Sequence, residues 1–184
     1  MTRPIERDQI LRALREKPEA NRLPLGTPAG VVLLLYGEGR DDRIIYTVRT
    51  SLVEHHKGEV SFPGGMRDEE DESLRHTALR EAHEEIGVDP ADVEIVGELD
   101  EILTRKSNFV ITPFVGVIPY PYEFRPNPHE VEEVLAVPIS HLLDRRNVEA
   151  DPDFGYHYRY QHHVIWGATA RITTEFLDLI APDR

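Results

Sequence analysis

The side chains best suited to chemistry lie in one stretch, GGMRDEEDESLRHTALREAHEEIGV, from Gly64 to Val88. A glycine pair leads into an acidic loop and then into helical spacing. At about 100° per residue, Glu81, Glu84 and Glu85 fall within an arc of roughly 100°. Ala78, Leu79, Ala82 and Ile86 form the adjoining apolar stripe. One face of this helix is therefore built for a core, and its edge carries three carboxylates. Like charges at i and i+4 disfavour an exposed helix by ~0.2–0.5 kcal/mol per pair. A hard cation that takes oxygen ligands, Mg²⁺ or Mn²⁺, removes that repulsion and can then neutralise a bound anion. His83 faces away from the glutamate edge and reads as a surface residue. Gly87 is placed to end the helix as its C-cap.

Other elements must hold this helix. Ile10, Leu11 and Leu14 give residues 5–15 the spacing of a short N-terminal helix. Prolines and glycines make residues 17–30 a connector. The apolar run 31–36, the turn 37–42 and the segment 43–48 predict two paired strands. Residues 51–65 read as an ordered loop ending in Phe62-Pro63-Gly64-Gly65, and residues 73–86 as the best helix of the chain. Strands are predicted over 93–103, 109–118 and 131–137, separated by a proline-rich loop over 120–128. A short helix over 139–143, a hairpin over 156–166 and an amphipathic helix over 168–180 complete the pattern. Strands interleaved with helices indicate an α/β or α+β fold.

Composition narrows the function. Acidic residues outnumber basic ones by 34 to 21, a net charge of −13 that disfavours nucleic-acid binding. Without cysteine, the chain has no disulfide, no thiolate nucleophile and no cysteine-ligated zinc. No apolar run approaches the ~20 residues of a membrane span, and residues 1–8 lack a signal-peptide core. A cytoplasmic enzyme with no membrane partner is expected. The sequence leaves the choice between monomer and homodimer open.

A glutamate pair alone reads as a solvated helix face; here the surrounding pattern argues otherwise. The stretch resembles the Nudix box, G-x5-E-x7-R-E-U-x-E-E-x-G-U, with U a bulky aliphatic residue. Ala82 is small for the first aliphatic position, and the acidic loop is one residue longer than the pattern. Counting from Gly65 puts the first acid at Asp71; counting back from Arg80 puts it at Glu72. The resemblance implies a Nudix-type α/β/α sandwich with a mixed β-sheet. It treats residues 1–184 as one domain, with an N-terminal helix and connector over 1–28 and the box over 64–88. It also implies a metal-dependent hydrolase in which Glu81 and Glu85 are the principal ligands, Glu84 assists and the Gly65 carbonyl completes the coordination. Arg80 would orient a glutamate by a charge-assisted hydrogen bond. The metals would act as Lewis acids and activate a water. A later loop supplies a general base in many such enzymes, and Glu130 is the candidate here.

The preceding segment, Arg49 to Gly65, resembles the signature R-[S/T]-x3-R-x3-G-x3-F-P-G-G of coenzyme A pyrophosphatases. Arg49, Thr50, Gly58, Phe62, Pro63, Gly64 and Gly65 match, while Glu54 reverses the charge of an expected arginine. The long box loop and the stretch Ile165 to Arg171 are similar to the same subgroup. The substrate implied is coenzyme A or its acyl derivatives, cut to 3′,5′-ADP and 4′-phosphopantetheine. Its 3′-phosphate and pyrophosphate need cations, and Arg49, Lys57 and Arg67 are the candidates. His56 is a weaker one. Trp166 reads as hairpin packing more than as an adenine platform. ADP-ribose, dinucleoside polyphosphates and damaged nucleotides are alternative substrates. A non-catalytic nucleotide sensor on the same fold is the alternative outside the enzymes.

Overall fold

A computed structural model describes residues 4–50, 58–104, 107–152 and 155–183. Helix α1 spans Arg7–Glu16 and buries Ile10 and Leu14. Strands β1 (Thr27–Tyr36) and β2 (Arg43–Arg49) run antiparallel, but they pair only where Leu34–Tyr36 faces Arg43–Ile45. Below that point they splay. The gap is filled by β3 (Val60–Ser61), paired to β2, and β4 (Gly64–Met66), paired to β1. On its other side β1 runs parallel to β7 (Phe109–Val117) along its whole length. Strands β5 (Glu94–Glu98) and β6 (Ile102–Leu103) join β7, and β8 (Val131–Pro138) joins the outer edge of β2. One parallel pairing among antiparallel ones makes this an eight-stranded mixed sheet.

Alternation along the strands sends apolar residues to both faces. Val32 and Leu34 of β1 point towards helix α2 (Leu74–Ile86) and meet Ala78, Ala82 and Ile86. Leu33 and Leu35 enter the opposite core, shared with α1 and with α4 (Gly167–Ile180). The short α3 (Ile139–Leu143) and a small sheet of β9 (Val148–Asp151), β10 (Gly155–Tyr160) and β11 (His163–Ile165) flank that second core. The expected α/β/α layering is present.

Four differences from the sequence reading have local causes. Strand β1 begins four residues before Val31, because β4 and β7 both offer hydrogen-bond partners to its first half. Part of the expected loop over 51–65 is strand, since the splay of β1 and β2 leaves unpaired edges there. The predicted strand over 93–103 is two strands, with an irregularity between Ile95 and Gly97. Strand β9 was not anticipated: its sequence VEAD has no alternating apolar pattern, and pairing with β10 alone sustains it.

Helix α2 lies close to β1 because Gly30 has no side chain. A Cβ there would stand 2.3 Å from the Leu74 carbonyl oxygen. Gly30→Ala is therefore expected to lose about 1–3 kcal/mol, as overpacking does. Urea unfolding should show a lower midpoint at unchanged m-value. An unchanged midpoint would mean that the helix does not depend on this close approach.

Candidate active site

Helix α2 starts at the N-cap Ser73, whose hydroxyl accepts the His76 amide at 3.1 Å, and ends at Gly87 in the left-handed conformation. Its glutamate edge meets the β3–β4 wedge. Phe62 anchors that wedge, stacked on the buried Tyr46 at a ring distance of 4.8 Å. The Val32 amide bonds the Pro63 carbonyl at 2.9 Å. Gly65 then lies directly against Glu81: a Cβ at that position would be 2.5 Å from the carboxylate. The Gly64 backbone lies on Glu85 from the same side and favours its charged form. The glycine pair thus sets backbone against two carboxylates where any side chain would intrude.

The extra residue of the acidic loop is accommodated by curling the loop around Asp71. This carboxylate is 2% exposed. It receives Arg80 through Nε and Nη2 at 3.0 Å each, Thr77 Oγ1 at 2.8 Å and the Asp68 amide at 2.9 Å. Asp71, not the exposed Glu72, fills the first acidic place. The Arg80 fork holds its carboxyl well below the usual carboxylate range, with backbone and hydroxyl donors helping against burial. Arg80 also reaches Glu81 at 2.9 Å and Glu84 at 3.1 Å through Nη1, and the Met66 carbonyl at 3.3 Å through Nη2.

The loop before β8 closes the other side. Arg125 and Asn127 donate their amides to the Ile86 and Glu85 carbonyls at 2.9 and 2.8 Å, satisfying the end of α2. Asn127 then holds the Glu130 carboxylate at 3.1 Å, and the Glu130 carbonyl accepts the Thr50 amide at 2.9 Å. The loop is tied to the helix end, and Glu130 already lines the cleft.

That cleft has a volume of about 510 Å³. Glu81, Glu85, Glu130, Arg49 and Gly65 line it, together with an apolar wall that includes Met66, Phe109, Ile111 and Ile172. Among the described residues, Arg49 is the one basic side chain in its lining; its Nε is buried without a hydrogen-bond partner. Three expected site residues are not in the lining. Glu84 lies about 60° around the helix from Glu81, away from Glu85, and turns to Arg80. Arg80 has its donors on Asp71, Glu81, Glu84 and Met66, outside the cleft lining. Arg67 places Nε and Nη2 on the Asp71 carbonyl at 3.2 and 3.0 Å. Lys57, with Glu54, His55 and His56, lies outside the described residues. His83 is exposed as expected. Trp166 is 40% exposed, stands at the N-cap of α4 and is not in the cleft lining.

The sequence reading missed the apolar wall. Phe109 and Ile111 alternate on β7, and Ala168 and Ile172 are one helical turn apart on α4. Both spacings are visible in the sequence, but each also reads as ordinary core.

Burial, with Glu81 and Glu130 nearby, pushes the Glu85 carboxyl up to about 8, against the opposing effect of Arg49. Burial also raises Glu81, countered by Arg80. Glu85 is 5% exposed, and its Oε2 has no hydrogen-bond partner. A buried, unsatisfied carboxylate oxygen beside two further carboxylates and a backbone carbonyl is a donor set suited to a hard divalent cation.

Comparison with known proteins agrees. The NUDIX domain family matches residues 26–158. The mitochondrial coenzyme A diphosphatase NUDT8 of Mus musculus is 37% identical over 182 residues, 92% of this chain and 81% of that protein. Its Homo sapiens counterpart is 41% identical over 150 residues, 76% of this chain but only 63% of that protein's length. The uncharacterized Nudix hydrolase NudL of Enterobacter sp. (strain 638) is 35% identical over 178 residues, 93% of this chain and 90% of that protein. Among solved structures, a C. elegans Ap4A hydrolase binary complex is similar at a TM-score of 0.51 and 14% identity, covering 61% of this chain and 80% of that one. The NUDIX domain of Shewanella oneidensis NrtR with ADP ribose gives 0.51 at 20% identity, covering 66% and 78%. Both support the fold alone. The chain belongs to the Nudix hydrolase family, whose enzymes generally need divalent metal ions. Relatives carry both mitochondrial and chloroplastic names. Among the described residues, no helix is long and apolar enough to cross a membrane.

The raised Glu85 sets a pH dependence for the metal-free protein. Folded Glu85 keeps a proton between about 4.5 and 8 that the unfolded chain releases. Its contribution to stability is therefore complete below pH 4.5 and is lost as pH rises through 8. Asp71 acts with the opposite sign: its contribution is present above the unfolded value of 3.8 and is lost as pH falls towards its depressed one. Thermal unfolding in EDTA should show Tm falling from pH 5 to 8. Glu85→Gln should flatten that decline. A wild-type Tm that rises over this range would contradict the buried, cation-free Glu85.

Proposed function

We propose that this protein hydrolyses the pyrophosphate of coenzyme A or acyl-coenzyme A, giving 3′,5′-ADP and the 4′-phosphopantetheine product. Mg²⁺ or Mn²⁺ would be held by Glu81, Glu85 and the Gly65 carbonyl. The observation that carries this reading is Arg49: a guanidinium with an unpartnered buried Nε, in a cleft whose other charged lining residues, among those described, are all carboxylates. It needs an anionic oxygen, and the apolar wall suits an uncharged arm on the far side of that anion. The names of the human and mouse relatives and the Arg49 to Gly65 segment support coenzyme A as the source of both.

In the reaction, water adds to one phosphorus, the anhydride P–O bond breaks, and the bridging oxygen leaves with the other phosphate. The divalent cation supplies the Lewis acidity that offsets charge on the phosphates. Glu130, fixed by Asn127 and facing Glu81 and Glu85, is the candidate to accept the proton of the attacking water. Asp71 and Arg80 hold Glu81 in place from outside the cleft. Arg49 stands beside Glu85, so its partner is the pyrophosphate, whereas the sequence alone left the 3′-phosphate equally open.

The test is turnover of coenzyme A, 3′-dephospho-coenzyme A and ADP-ribose side by side. Coenzyme A should be the best substrate, and activity should vanish with EDTA or with Glu85→Gln. Arg49→Ala should cost roughly 1.5–3 kcal/mol in kcat/KM, about tenfold to somewhat over a hundredfold. The loss should be equal for coenzyme A and its 3′-dephospho form, at unchanged Tm. A loss confined to coenzyme A would move Arg49 to the 3′-phosphate. A wide preference for ADP-ribose would overturn the substrate assignment.

A further inference from the structure

A second group of ligand-type side chains lies away from the α2 carboxylates. Glu133 on β8, His162 in the β10–β11 turn and His163 at the start of β11 each offer a ligand atom within 4.8 Å of the other two. His163 Nε2 is 3.1 Å from Glu133 Oε2, and the two imidazole rings lie 3.9 Å apart at 38°. Adjacent residues on a regular strand point in opposite directions. Here Gln161, at a φ of 54°, tightens the turn so that the two histidines lie side by side.

The cluster is distinct from the site already described: none of Glu133, His162 and His163 is in the lining of the cleft. Glu133 shares its side of β8 with Leu135 and Val137. The β11 strand beside it packs against β3. The donor chemistry also differs. The α2 cluster offers only oxygen, whereas two imidazoles and one carboxylate suit a borderline transition ion. Bonds of about 2.0–2.2 Å in a tetrahedral site put ligand atoms roughly 3.3 Å apart. The Glu133–His163 pair already has nearly that separation, and a small rotation of the exposed His162 closes the third side. A hydrogen-bonded Glu–His pair accounts for two of these residues but not for the second ring, which would repel the first if both were protonated.

We infer that Glu133, His162 and His163 form a zinc-type site that fastens the β10–β11 turn to β8. Three protein ligands leave the fourth position to water. The inference is independent of the substrate assignment.

Calorimetric titration of Zn²⁺ into untagged, chelator-stripped protein tests it, with Mg²⁺ in excess to occupy the α2 carboxylates. One site should be seen, with a rise in Tm. His162→Ala/His163→Ala should weaken Zn²⁺ by more than about a hundredfold, beyond the 10–100-fold typical of losing an outer-sphere partner. Since His162 is exposed, His162→Gln serves if the double variant unfolds, and should also weaken binding. Glu81→Gln/Glu85→Gln and His55→Ala/His56→Ala should retain the Zn²⁺ site, and Co²⁺ should give tetrahedral visible bands that His162→Gln abolishes. Unchanged Zn²⁺ affinity in both His162 variants, or its loss in Glu81→Gln/Glu85→Gln, would overturn the assignment.

Discussion

Two carboxylates are held out of water on one helix edge with too little positive charge to balance them. Glu85 is almost fully buried with an unpartnered oxygen, and Glu81 is pressed onto backbone at Gly65. In the metal-free protein this arrangement is unfavourable, because a buried ionised group without a partner either loses its proton-free form or destabilises the fold. The surrounding structure can be read as what keeps it in place. Gly30 lets α2 approach the sheet. The splay of β1 and β2 opens a gap that β3 and β4 fill, delivering the glycine pair to the glutamates. The loop ahead of β8 ties itself to the last carbonyls of α2, and so brings a third carboxylate to the same cleft.

Asp71 and Glu85 show how one stretch of chain separates two roles for the same chemical group. Both are buried. Asp71 has a two-pronged guanidinium, a hydroxyl and an amide, and its carboxyl is held low. Glu85 has only the Gly64 backbone and the Arg49 charge nearby, its Oε2 is unpartnered, and its carboxyl is pushed up to about 8. The difference lies in how the fixed cation is shared. Arg80 gives its fork to Asp71 and one further donor to Glu81, leaving Glu85 for a ligand. An anion satisfied by protein anchors the loop, while an anion left unsatisfied is available to a cation.

Helix α2, its cap, the paired β1 and β2 and the carboxylate edge were legible in the sequence because each follows from local periodicity or turn chemistry. Whether Asp71 or Glu72 fills the first acidic place was not, because counting from either end of the loop gives a different answer. Only the curl of the chain around Asp71 decides it. Glu84 was overvalued for a similar reason. A helical wheel puts it on the same edge as Glu81 and Glu85, but not on the side where the cleft opens, which depends on the β3–β4 wedge. The apolar wall and the Glu133–His162–His163 group come from elements far apart in sequence. No spacing rule joins β7 to α4, or β8 to the turn after β10. Short elements such as β9 carry too few residues to show a period and owe their form to a neighbour.

The acidity that argued against nucleic acid also has a local meaning. Among the described residues, three carboxylates, Glu81, Glu85 and Glu130, and one guanidinium, Arg49, face the cleft. Fully ionised, they leave an excess of two negative charges, which one divalent cation cancels without making the cleft attractive to an anion. A pyrophosphate linking two organic groups brings two more negative charges at neutral pH. Its binding is favoured only if a further cation enters with it or if Glu85 keeps its proton. Without a cation, these carboxylates therefore repel an anionic pyrophosphate. The raised Glu85 carboxyl marks where that repulsion is stored until a cation replaces the proton.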